Sequence, residues 1–152
     1  MSAKVKRILV LHGPNLNALG TREPAIYGRA TLVDIHRLLT ALAPELGCEV
    51  ECRQTNHEGV LIDALHSANG NADGVILNPG GLTHSSVSLR DAVLAAGVPV
   101  VEVHLSNPYA RETFRHTSMI SGAAVGVVLG FGPAGYELAL RGLMGALSRD
   151  QA

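Results

Sequence analysis

The chain has no tryptophan, and aromatic residues make up only 3% of it. A flavin ring or an unpaired base would find little aromatic surface to stack on. There are two lysines, Lys4 and Lys6, both in the N-terminal tail. Schiff-base chemistry needs a lysine desolvated in a pocket, which argues against that route. The two cysteines, Cys48 and Cys52, share one strand-like segment. Four residues apart on an extended backbone, they are too distant to pair with each other. They read as reduced core or sheet residues of a cytoplasmic protein. Charged residues are scarce at 16%, and the net charge is -1 with no basic block or acidic tail. Nothing therefore points to nucleic acid or to a charged membrane surface. The basic tail, Met1 to Arg7, has no long apolar segment behind it, so neither a signal peptide nor a transmembrane span is expected. His12, His84 and His104 lack HxH, HExxH or Cys-His spacing, and no metal or cofactor is expected. Ser85 and Ser86 lack a GxSxG elbow, which argues against a serine hydrolase.

A length of 152 residues fits one domain, 1–152, and 47% apolar content suffices for a sizeable core. The low charge density hints at an oligomer that buries part of its surface. Apolar runs read as strands at about 7–12, 48–54, 73–78, 98–104 and 123–129. Between them lie helical patterns. Thr31 is placed to cap a helix with the stripe Leu32, Ile35, Leu38, Leu39, Leu42 and Leu46. Val60, Leu61, Ala64, Leu65 and Ala68 mark a second helix, and Leu89, Val93, Leu94 and Ala96 a third. Tyr136, Leu140, Leu143, Met144 and Leu147 mark a fourth. Alternating strands and helices predict an α/β class, specifically a flavodoxin-like three-layer fold with a five-stranded parallel sheet. The order 2-1-3-4-5 is assigned by analogy.

Three of these strands run into polar cassettes: His12-Gly13-Pro14-Asn15-Leu16-Asn17, Asn78-Pro79-Gly80-Gly81-Leu82-Thr83-His84 and Glu102-Val103-His104-Leu105-Ser106-Asn107. In open parallel sheets ligands bind at the carboxyl ends of strands, so the cassettes suggest a site for a small oxygen-rich molecule. Residues 13–30 lack periodicity and carry Arg22, Glu23 and Tyr27 among their prolines and glycines. A loop this long in a compact domain suggests a mobile lid, at about 18–30. Gly130-Phe131-Gly132-Pro133-Ala134-Gly135 matches GxGxxG. No second strand follows to complete a dinucleotide unit, so a tight strand-to-helix turn is the better reading.

Acid–base chemistry remains. Glu102 and His104 lie two apart on a strand and face the same side. The carboxylate would stabilise the imidazolium and orient it, making His104 a proton donor. Tyr27 is a candidate base if a guanidinium such as Arg22 stabilises its phenolate. Asn15 and Asn78 are suited to orient hydroxyls, carbonyls or a held water. The backbone amides at Leu105 and Ser106 are placed to bind a carboxylate. Arg111 and Arg115 share a face if their segment is helical. Such a set suits a lyase acting on a polyhydroxylated carboxylate. A non-catalytic flavodoxin-like module for flavin or phosphate is the alternative. Few aromatics and the absence of clustered acids after the first strand weigh against it.

At five ordered segments the chain closely resembles the type II 3-dehydroquinate dehydratases: residues 13–28, 54–59, 78–92, 102–115 and 130–140, within a match from about Arg7 to Leu147. The resemblance implies dehydration of 3-dehydroquinate to 3-dehydroshikimate in the shikimate pathway of aromatic amino-acid biosynthesis. It implies anti elimination through an enolate, without metal or cofactor. By position, Tyr27 resembles the base, Arg22 the lid arginine, Asn15 the holder of a water on the enolate oxygen, and His104 the acid oriented by Glu102. Asn78, His84 and Arg115 match positions that hold substrate hydroxyls. Leu105 and Ser106 match the carboxylate-binding amides, and Arg111 a second lid arginine. Asp91 matches a residue reaching in from a neighbouring subunit, in a family whose trimers form dodecamers. Ala18, Arg29 and Ala30 depart from the family's usual residues in or beside the lid.

Overall fold

The apolar runs pair side by side as a parallel sheet in the computed structural model, which describes residues 4–150. Residues 1–3 of the basic tail, and 151–152, lie outside that range. The strands are β1 (Lys6–His12), β2 (Cys48–Gln54), β3 (Gly74–Asn78), β4 (Val100–His104) and β5 (Gly126–Leu129). Their order is β2-β1-β3-β4-β5, all pairs parallel. This is the expected flavodoxin-like order, with strand limits within about three residues of those read from sequence.

Alternation along β1 builds two cores. Ile8 and Val10 face α2 (Leu32–Leu42) and α5 (Ala134–Asp150), where they meet Ile35, Leu39, Leu140 and Leu143. Leu9 and Leu11 face α3 (Glu58–Ala68) and α4 (Val87–Ala95), where they meet Leu61, Leu65, Leu89 and Val93. β3 and β4 are buried along their whole length, as expected of central strands covered on both faces. No described helix is long and apolar enough to cross a membrane.

Local chemistry sets the helix limits. Thr31 and Asp34 form a reciprocal capping box at the start of α2. α2 stops at Leu42, and Leu46 belongs instead to a 3-10 turn, Ala43–Leu46, containing Pro44. Val60 and Leu94, counted in the apolar stripes, are 51% and 61% exposed. The buried faces of α3 and α4 are narrower than a count of apolar residues suggests. The irregular segment 13–30 contains one short helix, α1 (Pro24–Tyr27), and a 3-10 turn, Leu16–Ala18. The GxGxxG segment turns from β5 into the first residues of α5, with Gly130 and Gly132 at positive φ.

Two constraints hold the strand ends together. Gly13 N–H donates to the Asn78 carbonyl at 2.8 Å. A Cβ on Gly13 would sit 2.8 Å from the Pro79 carbonyl oxygen, so the two turns meet backbone to backbone. Beneath them lies a buried polar chain. Gly80 N–H donates to Asn78 Oδ1 at 3.1 Å, which orients the amide. Asn78 Nδ2 then donates to the Tyr136 hydroxyl at 3.0 Å. The phenol O–H donates to His12 Nδ1, also 3.0 Å away. His12 Nε2 in turn lies 3.1 Å from His36 Nε2. Burial pushes the Tyr136 phenol well above its usual range, so it stays protonated.

Burial, reinforced by neighbouring His36, lowers the His12 pKa from 6.5 to about 3. An unfolded chain exposes a histidine that binds its proton near pH 6.5. The folded state resists that proton, so stability is fully present above pH 6.5 and declines as the pH falls toward 3. His36, lowered by burial, adds in the same direction; Tyr136 and Cys52, pushed upward, stay neutral throughout. Urea unfolding should therefore show a loss of about 2 kcal/mol between about pH 7 and about pH 5. His12→Asn should flatten that slope; equal slopes in both proteins would remove His12 as its source.

Candidate active site

The carboxyl ends of β1, β3 and β4 open onto a cleft of about 680 Å³, counting its open mouth. Its lining includes Asn15, Arg22, Tyr27, Asn78, His84 and His104. Leu105, Ser106, Arg111 and Arg115 complete it from the segment after β4. The three cassettes and the segment 13–30 thus meet at one place. Of the residues singled out from sequence, Glu102 lies beneath the cleft against His104, and Asp91 does not line it.

β4 carries the best-defined unit. Glu102 and His104 are 1% and 8% exposed. His104 Nε2 meets Glu102 Oε2 in a close contact, with Thr83 Oγ1 3.3 Å from the same nitrogen. A carboxylate only accepts, so Nε2 carries a proton and Nδ1 is left for a reacting group. The other Glu102 oxygen accepts from Ser121 Oγ at 2.7 Å. Ser118 Oγ, 2.9 Å from Ser121 Oγ, accepts from the Ser121 backbone N–H and so anchors that turn. Ser121 carried no signal in the sequence, because it lies 19 residues from Glu102 in a segment without a motif.

Tyr27 ends α1 and points its hydroxyl at a guanidinium. Arg111 Nη1 donates to that oxygen at 2.8 Å and approaches Ser106 Oγ at 3.3 Å. Arg22, the arginine expected to partner the phenol, instead stacks over the ring at 5.1 Å from its centroid. Arg111 is also 5.1 Å from that centroid, so two guanidiniums stand within cation–π range of the ring. Arg111 and Arg115 do not share a regular helix. Arg111 follows the 3-10 turn Pro108–Ala110 and Arg115 lies in the turn Thr113–His116. Glu112 bridges them, 2.9 Å from Arg115 Nε and 3.8 Å from Arg111 Nε. Those two arginines hold its carboxyl below the usual range.

Two further side chains have fixed hydrogen-bonding capacity. His84 Nδ1 donates to the Thr117 carbonyl at 2.8 Å, leaving Nε2 as an acceptor. Asn15 adopts the left-handed region at φ 71°, which asparagine tolerates better than most residues. Its N–H is anchored on Asn56 Oδ1 at 2.9 Å. His12 does not converge with His84 and His104 on the cleft; it is buried below, against Tyr136 and His36.

A cleft with one phenol on a guanidinium, one imidazole on a carboxylate, and surrounding amides and cations fits acid–base work on an anionic, hydroxylated molecule. The family model "Dehydroquinase class II" matches residues 6–144. A 3-dehydroquinate dehydratase of Desulforudis audaxviator is 57% identical over 145 residues, 95% of this chain and 97% of the relative. A protein named catabolic 3-dehydroquinase 2, from Aspergillus flavus, is 54% identical over 88% of this chain and 89% of its own length. The crystal structure of a type II dehydroquinase from Propionibacterium acnes superposes with a TM-score of 0.89 at 43% identity. That alignment covers 95% of this chain and 99% of the other. The chain belongs to the class II dehydroquinase family.

Proposed function

We propose that this cleft dehydrates 3-dehydroquinate to 3-dehydroshikimate with Tyr27 as base and His104 as acid. Dehydration of that substrate is the reaction of the family to which the chain belongs. One observation carries the assignment of roles: Tyr27 and His104 line the same cleft, the first tied to a guanidinium and the second to a carboxylate.

In this reading the Tyr27 phenolate, held by Arg111, takes the proton from carbon 2. The electron pair of that C–H bond moves toward the carbon 3 carbonyl and gives an enolate. A water held by Asn15 hydrogen-bonds the enolate oxygen, an oxyanion-type contact. Arg22 adds positive charge at the mouth. Collapse of the enolate breaks the carbon 1–oxygen bond, and His104 Nδ1–H protonates the departing hydroxyl, which leaves as water. The proton on Tyr27 then returns to His104 through solvent. Glu102 stabilises the His104 imidazolium before transfer and fixes its ring throughout. Asn78, His84 Nε2 and Arg115 hold substrate hydroxyls, while the amides of Leu105 and Ser106 bind the carboxylate. No step draws on a metal or a cofactor.

We further infer that residues 1–152 form one catalytic domain whose segment 18–30 moves as a lid, and that the protein is cytoplasmic, where Cys48 and Cys52 stay free thiols. A shikimate-pathway role follows from the substrate. We also infer a homo-oligomer, a dodecamer of four trimers. Val87, Asp91 and Leu94 stand at i, i+4 and i+7 on the outer face of α4, all exposed. An apolar stripe with an acid at its centre suits a neighbouring copy, whose cleft Asp91 would then enter.

Tyr27→Phe and His104→Gln should fold normally and lower kcat by about a hundredfold to ten-thousandfold. The conjugated enone product makes this readable by ultraviolet absorbance, and normal turnover by folded Tyr27→Phe would remove Tyr27 as the base. Ser121→Ala should lower kcat by about fivefold to tenfold with KM little changed, since one hydrogen bond to Glu102 is worth about 1 kcal/mol. Ser121→Thr should recover most of that loss; a change confined to KM would place Ser121 outside the positioning of His104. Leu94→Glu should yield a smaller species by light scattering and reduce turnover with it. Full activity in monomeric wild type would overturn the oligomer and the role of Asp91.

A further inference from the structure

Below the cleft, on the face of the sheet covered by α2 and α5, three ligand-type side chains converge. His12 comes from the end of β1, His36 from α2 and Cys52 from β2. Their nitrogen and sulfur atoms all lie within 4.8 Å of one another. Among the described residues this is the group of histidine, cysteine and carboxylate side chains close enough to share an ion. The reaction proposed above uses none of the three. We propose that His12, His36 and Cys52 form a binding site for a soft divalent metal ion of the Zn²⁺ type, separate from the catalytic cleft.

The geometry is close to what such an ion requires. Zinc bonds of about 2.0–2.3 Å to nitrogen and sulfur place tetrahedral ligand atoms about 3.3–3.6 Å apart. The two Nε2 atoms are already 3.1 Å apart. Closing the remaining distance needs a small movement of Cys52 or His36, and both side chains are only partly buried. His12, fully buried on β1, is the fixed member. Imidazole with thiolate selects Zn²⁺, Co²⁺ or Cu⁺ over Mg²⁺ or Ca²⁺, which prefer oxygen. Burial favours neutral forms of both rings, the forms that coordinate a metal. His36 and Cys52 are only partly buried, and three protein ligands leave the fourth position of a tetrahedral ion for a water. On binding, the Cys52 thiol releases its proton to solvent and the sulfur joins the metal as thiolate.

Two terms oppose binding: burial, with Glu51 nearby, pushes the Cys52 thiol up to about 11, so the metal must displace its proton, and a buried hydrogen bond is lost. Without metal, the Tyr136 proton goes to His12 Nδ1 and the His12 proton on Nε2 faces His36. Coordination through His12 Nε2 moves the ring proton to Nδ1, and the Tyr136 hydroxyl loses its acceptor. The site therefore binds at the expense of one buried hydrogen bond and has moderate affinity for its ligand set.

Equilibrium dialysis of the full chain against micromolar Zn²⁺ should retain one ion per chain. With Co²⁺ as probe, a thiolate-to-cobalt charge-transfer band should appear in the near ultraviolet, with the visible bands of a tetrahedral ion. Cys52→Ser should abolish the charge-transfer band, and His36→Ala should weaken binding by at least about tenfold. Both substitutions sit at partly buried positions, and circular dichroism checks that they fold. Cys48→Ser, altering the other cysteine, should leave the spectrum unchanged. A band that survives Cys52→Ser, or dialysis that retains no ion on wild type, would overturn the site.

Discussion

The buried Tyr136 hydroxyl is the contact on which the active end of the molecule depends. A phenol with 0% exposure must satisfy both its donor and its acceptor inside the protein. It does so across three elements, accepting from Asn78 on β3 and sitting against His12 on β1 while its own helix, α5, packs on the sheet. Those bonds hold the two central strand ends at a fixed height. Directly above them, Gly13 and Pro79 press backbone on backbone. The cleft floor is thus a tightly tied polar layer, with the segment 13–30 laid over it.

Charge is used sparingly and in the same place. A chain with 16% charged residues concentrates Arg22, Arg111 and Arg115 around one cleft. Beneath it, Glu102 spends one oxygen on His104 and the other on Ser121. Three guanidiniums line the mouth, balanced in part by Glu23 and Glu112 at its rim. The guanidiniums attract an anionic substrate.

Much of this was legible in the sequence, for a physical reason. Strand runs, the capping box at Thr31 and Asp34, and the polar cassettes are local patterns. Local patterns survive in one dimension. The pair Glu102–His104 was readable because side chains two apart on a strand must face the same way. What was not readable depends on packing between distant segments. The arginine on the Tyr27 oxygen is Arg111, 84 residues away, whereas proximity in sequence pointed to Arg22. Ser121, and the meeting of His36 with Cys52, arise the same way, from helices and turns laid against the sheet. Val60 and Leu94 show the opposite limit: apolar identity says little about which side of a helix is covered.

Tyr27 sits on a helix of four residues, far too short to hold its shape unaided. Glu23, at its start, is held at φ 43°, a conformation disfavoured for a residue with a side chain. What anchors the phenol is a guanidinium borrowed from the opposite side of the cleft. Arg111 thus joins two parts of the cleft: its Nη1 donates to the Tyr27 hydroxyl and also reaches Ser106 Oγ. Binding and activation are then thermodynamically linked. A ligand that pins Arg111 also orders Tyr27, and by reciprocity an ordered Tyr27 prepares Arg111 for the ligand. With Tyr27 in its proposed role as base, readiness for proton transfer then follows the binding of a ligand.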